Sequence, residues 1–88
     1  KNTTMKNKLP AWFEGMQYEK GDIVKNPFSG EECELNATEL SMYDFIIGSQ
    51  MVMEMTPKMI TPKHIKEFQK GLDWFRSNNG KAYMTLLD

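Results

Sequence analysis

Residues 36 to 55 of this 88-residue chain read NATELSMYDFIIGSQMVMEM, which is the pattern of a helix with two apolar faces. At about 100° per residue, one side of this helix carries Leu40, Tyr43, Ile47 and Met51. The opposite side carries Met42, Phe45, Ile46, Val52 and Met53. A surface helix needs only one apolar stripe to dock on its own domain, so a second stripe indicates a central position or a partner chain. Because the chain is small, the sequence favours the partner chain.

The ends of this helix are marked by local signals. Asn36 followed by Glu39 is a variant of the capping box, in which two side chains satisfy backbone donors at a helix start. A proline follows Thr56, and the residue before a proline avoids helical geometry, so we expect the helix to end near Met55. Gly48 lies in the helix interior, where glycine costs about 1 kcal/mol relative to alanine. We therefore expect another backbone to approach closely at Gly48.

A second helix with one apolar face is predicted after Thr61, because a cap residue and a first-turn proline stand together there. Its apolar face consists of Ile65, Phe68, Leu72 and Phe75. The sequence Asn78-Asn79-Gly80 is a stop signal, and a short last helix is predicted from Lys81 to Leu87. We expect the two long helices to pack antiparallel.

The segment from Tyr18 to Leu35 has the pattern of a small β-hairpin. Ile23 and Val24 are branched strand formers, and residues 26–30, NPFSG, have turn chemistry. An isolated hairpin is marginal in water, so this one is expected to lie on the helices or to pair with another chain. The predicted fold is α+β and mainly helical, with one compact domain over residues 9–88 after a disordered lead of residues 1–8.

Charge and composition disfavour several classes of function. Eleven basic and twelve acidic residues give a formal charge of −1, so no overall positive field attracts nucleic acid. The most apolar segment contains Asp44, Gln50 and Glu54, which are costly at a bilayer centre, so no membrane span is expected. A lone cysteine, Cys33, and the lack of a signal-peptide pattern predict a cytoplasmic location.

No residue pattern points to catalysis. His64 is the only histidine, and its sequence neighbours provide neither a nucleophile nor an orienting carboxylate. A metal site would have to combine His64 with Cys33 and carboxylates from separate elements, because no close pair of ligands has zinc-like spacing. We predict no catalytic residue, no cofactor and no metal ligand. An enzymatic or metal-dependent accessory role, using His64 and nearby carboxylates, is the alternative.

Apolar side chains are instead predicted to contact other proteins. For a homodimer, the expected interface residues are Met42, Phe45, Ile46, Ser49, Val52 and Met53. Trp74 lies opposite the apolar face of the second helix, so it is expected to contact either a partner protein or the amino-terminal arm, residues 9–17. Trp12 and Phe13 have a similar ambiguity, since they could fold back onto the second helix or reach a partner.

Three strings of the sequence resemble small uncharacterised proteins encoded by tailed phages of marine cyanobacteria. The strings are Gly21-Asp22-Ile23-Val24 with Asn26 to Glu31, Leu40 to Phe45, and Phe68 to Phe75. The resemblance covers most of the chain from Leu9 onward, and it implies a phage protein made in a bacterial cytoplasm. It carries over no catalytic residue. The expected function is a non-enzymatic, homodimeric interaction module acting on a host or phage protein, with a virion or assembly component as a further alternative.

Overall fold

A computed structural model describes residues 8–87 of the chain. Its elements are, in order, β1 (Asp22–Lys25), β2 (Glu32–Leu35), α1 (Ala37–Met55), a 3-10 turn (Pro57–Met59), α2 (Pro62–Asn78) and α3 (Gly80–Leu86). The predicted fold class is confirmed: a small hairpin precedes two long helices and a short last helix, in a mainly helical α+β fold. Residues 1–7 of the predicted disordered lead lie outside the described residues.

The hairpin joins β1 and β2 in antiparallel register. Asp22 lies opposite Leu35 at its open end, and Lys25 lies opposite Glu32 beside the turn. Leu35 has no exposed surface, whereas Ile23 on the neighbouring strand is 61% exposed. One strand of the hairpin thus anchors it to the core, because an isolated pair of strands cannot bury enough apolar surface to be stable.

Helix α1 starts and ends where the sequence predicts. The Asn36 side chain accepts a hydrogen bond from the Glu39 backbone N–H at 2.8 Å, and the Glu39 carboxylate accepts one from the Asn36 N–H at 3.1 Å. These two bonds satisfy backbone donors that have no partner inside the helix. At the other end, the Thr56 N–H donates to the Val52 carbonyl at 2.8 Å and closes the last turn.

The core forms where α2 packs across the first half of α1. Met42 and Ile46 of α1 have no exposed surface, and neither does Phe75 of α2. The helices approach closely at Gly71, where a Cβ atom would lie 3.3 Å from Met42 Sδ and 3.4 Å from Ile46 Cγ1. A larger side chain here would require Met42 and Ile46 to shift, so Gly71 permits the tight packing of α1 on α2.

Gly48 does not have the role that the sequence predicts for it within the chain. Among residues 8–87, no atom outside its own helix backbone and its two chain neighbours lies within 4 Å of the position that its Cβ would occupy. The prediction of a close backbone approach at Gly48 is therefore wrong for this fold, and the close approach takes place at Gly71 instead. Two interior helix glycines look alike in sequence, and only the tertiary register of the helices distinguishes them.

The amino-terminal arm covers the second apolar face of α1 beside Phe45. The ring centroids of Trp12 and Phe13 lie 5.7 Å and 5.6 Å from that of Phe45. Just after the arm, the Tyr18 N–H donates to the buried Ser41 hydroxyl at 2.9 Å. Around the first half of α1 this face is therefore packed against the same polypeptide, which removes part of the sequence argument for a partner chain.

A polar contact joins the starts of α1 and α3. Glu39 is buried, and its Oε2 atom accepts a hydrogen bond from the Asn79 side-chain amide at 3.2 Å. The same Asn79 caps α3, because its Oδ1 atom accepts from the Ala82 N–H at 3.1 Å. A buried carboxylate is costly unless hydrogen bonds compensate for its lost hydration, so Asn79 stabilises both helices.

The two glycines should respond in opposite ways to substitution. Gly71→Val is expected to lower the free energy of unfolding by about 1–3 kcal/mol, because the added side chain overpacks the contact with Met42 and Ile46. Gly48→Ala is expected to raise it by about 1 kcal/mol, because alanine favours the helix and meets open space. Urea unfolding at low protein concentration measures both changes. A neutral Gly71→Val variant would contradict tight packing at this crossing.

Substitutions at Asn79 separate the cap of α3 from the contact with Glu39. Asn79→Ser keeps a capping oxygen but loses the amide donor, whereas Asn79→Ala loses both. We expect stability to fall in the order wild type, Ser, Ala, with the loss of the cap alone costing about 1 kcal/mol. Equal stability of wild type and Asn79→Ser in urea unfolding would show that the Glu39 contact contributes nothing.

Candidate protein interaction surface

An open groove lies between the carboxyl-terminal half of α1 and the start of α2. It has a volume of about 420 Å³ and is lined by Asp44, Phe45, Gly48, Ser49, Val52, Met53, Ile60 and His64. A smaller hollow of about 290 Å³ shares Met53 and Ile60 with it and extends toward Pro57 and Ile65. Six of the eight lining residues of the groove carry no charge or ring nitrogen, so its walls are mainly apolar.

The second half of α1 and the segments that follow it expose large apolar side chains. Their exposed fractions are 53% for Met51, 48% for Val52, 75% for Met55, 72% for Met59 and 45% for Ile65. Val52 lines the groove and Ile65 lines the adjoining hollow. Single exposed apolar residues are ordinary, but several of them in one region that includes a groove are typical of an interaction site. The second half of α1 therefore differs from the first half, since its apolar side chains remain open to solvent.

Gly48 gives the groove part of its depth. The space beside its Cα is empty to a distance of 4 Å, and the residue lies on the groove wall. Glycine in a helix interior lowers stability by about 1 kcal/mol relative to alanine. Within residues 8–87, no neighbouring group occupies the room that this glycine leaves, so the room is available to a bound side chain.

The segment that contributes Ile60 and His64 to the groove is rich in lysine. Lys58, Lys63 and Lys66 are exposed and lie in this segment, residues 55–66, which is bordered by Glu54 and Glu67. Helix α1 contributes one carboxylate to the groove lining, Asp44. The lysines of this segment favour an acidic segment of a partner, because complementary charges orient two surfaces as they meet.

His64 lies on the rim of the groove and takes part in the start of α2. Its backbone N–H donates to Thr61 Oγ1 at 3.2 Å, and its Nδ1 atom accepts from the Thr61 N–H at 3.4 Å. In the described part of the chain, no carboxylate forms a hydrogen bond or ion pair with His64. Among residues 8–87, no group of three or more His, Cys, Asp or Glu side chains is placed to hold a metal ion. The observed role of His64 is therefore that of a capping residue.

The six residues predicted for an oligomer interface fall into two groups. Phe45, Ser49, Val52 and Met53 line the groove. Met42 and Ile46 have no exposed surface, so the prediction is wrong for these two residues. The physical reason is that they meet Gly71 of α2, where the helices pack too tightly to leave any part of them accessible.

The three aromatic residues predicted as partner contacts pack within the chain. Phe13 is 7% exposed, so its prediction as a partner contact is wrong. Trp12 is half-buried against Phe45. Trp74 is also half-buried, and its indole N–H donates to the Lys8 carbonyl at 3.0 Å. For Trp74 the structure therefore shows a contact within the chain, at the residue directly before the arm.

The sequence pattern does not indicate all of the exposed apolar surface. Ile65 is predicted to dock α2 on the core, but it is 45% exposed because it lies at the start of α2, beyond the crossing with α1. The apolar patterns of the two helices do not include Met55 and Met59. Their exposure could have been inferred from residues 55–60, MTPKMI, because this connection between two helices is more apolar than a solvated connection needs to be.

The remaining findings concern the chain as a whole. No helix in residues 8–87 combines the length and the apolar character needed to cross a membrane. Comparisons with protein-family models, curated proteins and solved structures found no match to this chain. The geometry of the groove and of its surroundings is therefore the basis for proposing a function.

Trp74→Phe tests how the arm is held. The substitution keeps an aromatic ring but removes the indole donor to the Lys8 carbonyl. We expect faster hydrogen exchange at the Phe13 amide, which donates to the Pro10 carbonyl within the arm, because the arm opens more often. Exchange at the Ile46 amide in the core should stay unchanged and serves as an internal control. Unchanged exchange at Phe13 would show that the indole hydrogen bond does not hold the arm.

Proposed function

We propose that this protein is a non-enzymatic protein–protein interaction module that self-associates as a homodimer through the groove between α1 and α2. The observation that supports this most directly is that Val52 in the groove and Ile65 in the adjoining hollow are exposed, as are Met51, Met55 and Met59 in the second half of α1 and the segment after it. Removing such side chains from water is favourable by about 25 cal/mol per Å² of apolar area. Association is the way in which the fold can gain this free energy.

The chemistry of the groove suits a protein partner. Small-molecule sites enclose most of their ligand, whereas this groove is open along one side. Methionine side chains such as Met53 adapt to the shape of a partner because they are unbranched and flexible. An apolar centre with polar residues at its rim, here Asp44 and His64, is the usual organisation of a protein interface.

The biological setting follows from the sequence resemblance. We propose that the module acts on a host or phage protein, in the cytoplasm of a bacterium infected by a phage similar to those of marine cyanobacteria. An enzymatic role through His64 has less support, because the Nδ1 atom of this residue already accepts a hydrogen bond in the cap of α2. In a binding module, the imidazole of His64 has only to form part of the groove lining.

Val52→Asp tests the proposed interface. A carboxylate at this groove position would have to be buried without a partner on association, so we expect the dimer dissociation constant to rise at least tenfold, or about 1.4 kcal/mol. The matched control is Met84→Asp, which places the same charge at a residue of α3 that is 68% exposed and does not line the groove. Sedimentation equilibrium over a wide concentration range measures both.

The outcomes of this experiment distinguish the possible errors. A wild-type protein that stays monomeric at every accessible concentration would reject self-association. Equal weakening by Val52→Asp and Met84→Asp would show that added negative charge, and not the groove, controls association. Weakening by Val52→Asp alone supports the groove as the interface.

A further inference from the structure

We infer that the groove binds the hairpin tip of a second copy of this chain, with Phe28 as the inserted side chain. This inference rests on the proposed function and specifies the contact that produces self-association. The hairpin tip is residues 26–30, the turn between β1 and β2. The argument depends on the exposure of Phe28, the rigidity of the tip, the size of the groove and the charges on both surfaces.

Phe28 is almost completely exposed. Its exposed fraction is 97%, the highest among the large apolar side chains described. The turn does not need an aromatic residue, because its geometry comes from Asn26 and from Gly30, whose φ of +81° is favourable for glycine. A phenyl ring at this place contributes no packing to the fold, and aromatic rings are the side chains that most often anchor protein interfaces.

The tip is held in one conformation by the Asn26 side chain. Its Oδ1 atom accepts hydrogen bonds from the backbone N–H groups of Phe28 at 2.8 Å and Ser29 at 3.3 Å. Its Nδ2 atom donates to the Thr85 carbonyl of α3 at 2.8 Å and ties the tip to the helical part. The Gly30 N–H donates to the Asn26 carbonyl at 2.8 Å. A contact made by so rigid a loop loses little conformational entropy on binding.

The groove is large enough for the ring of Phe28. An apolar protein cavity of about 150 Å³ holds a benzene molecule, and the groove has a volume of about 420 Å³. The empty space beside Gly48 adds room at the wall, and Val52 and Met53 provide apolar contacts for a ring. The remaining volume can accept residues that flank Phe28 in the turn.

The two surfaces carry opposite charges. Residues 28–35 contain Glu31, Glu32 and Glu34, all exposed, and no basic residue; Lys25 on β1 lies opposite Glu32. The segment of residues 55–66, which contributes Ile60 and His64 to the groove, contains three exposed lysines and is bordered by Glu54 and Glu67. Docking the tip in the groove brings these segments together, with Asp44 on the opposite groove wall as the one acidic lining residue. Complementary charge of this kind accelerates association and fixes orientation.

A direct contact between two grooves is electrostatically less favourable. A contact between two grooves would place the lysine-rich segment of residues 55–66 of both copies at one interface, and like charges there oppose association. If the tip of each copy instead enters the groove of the other copy, a closed dimer contains two such contacts. Each contact pairs an acidic segment with a lysine-rich segment. When the geometry does not close, the same contact continues from copy to copy.

Two variants that each disable one side of the contact test the inference. Phe28→Ser removes the anchor and leaves the groove intact. Gly48→Gln places a long side chain in the groove and leaves the tip intact. The substitution should not disturb the fold, because the space around the Cβ position of Gly48 is open. Both positions are exposed, and circular dichroism with urea unfolding verifies the fold. Met16→Ser, at an arm residue that is 66% exposed and outside both surfaces, is the matched control.

Each variant alone should associate at least tenfold more weakly than the wild type, whereas an equimolar mixture of the two should regain association. In the mixture, the Gly48→Gln copy offers an intact tip and the Phe28→Ser copy offers an intact groove. Met16→Ser should associate like the wild type. Sedimentation velocity with one fluorescently labelled component measures the mixed species directly.

The other outcomes identify which proposal fails. If Phe28→Ser associates like the wild type and Gly48→Gln does not, the groove is an interface but the hairpin is not its occupant. If both variants are weakened but their mixture does not associate, Phe28 does not enter the groove. A monomeric wild type would reject both this inference and the proposed function.

Discussion

The close contact between Gly71 of α2 and the side chains of Met42 and Ile46 on α1 is the constraint on which the packing of the two long helices depends. A Cβ atom at residue 71 would lie 3.3 Å from Met42 Sδ and 3.4 Å from Ile46 Cγ1, so a larger residue there requires these side chains to shift. The contact buries the first half of α1, and Phe75 of α2 completes the same core. It also leaves the second half of α1 and the start of α2 on either side of the groove. A small domain with a thin core depends strongly on one such crossing.

The local features of the fold were predictable from the sequence because each depends on a few neighbouring residues. The cap of α1 requires only Asn36 and Glu39, and the hairpin turn requires only residues 26–30. The relation between Gly48 and Gly71 was not predictable in this way. Both are glycines inside helices, and their different roles follow from which turn of α1 meets which turn of α2. That register depends on contacts across the chain, which a single sequence does not display.

The candidate site was predictable only in part for a related reason. Periodicity correctly indicates that α1 is apolar on two sides, but it treats every turn of a helix alike. In the structure, the arm covers this helix at Phe45, while Met51 and Val52 stay exposed one to two turns later. The helix therefore changes from a core element to a surface element along its length. The sequence does not mark Phe28 as a contact residue, because the turn pattern accounts for the backbone of residues 26–30 and not for the exposure of the aromatic ring.

The tip and the groove belong to one connected body, and this limits how copies can meet. Asn26 ties the tip to Thr85 of α3, and Asn79 at the start of α3 contacts Glu39 of α1. The position of the anchor relative to the groove is thus fixed by hydrogen bonds and is not left to a flexible loop. Two copies cannot adjust this relation freely as they associate, so the fold itself determines whether the contact closes into a dimer or continues into a chain. An interaction module and an assembly component would then differ only in the angle between the same two surfaces.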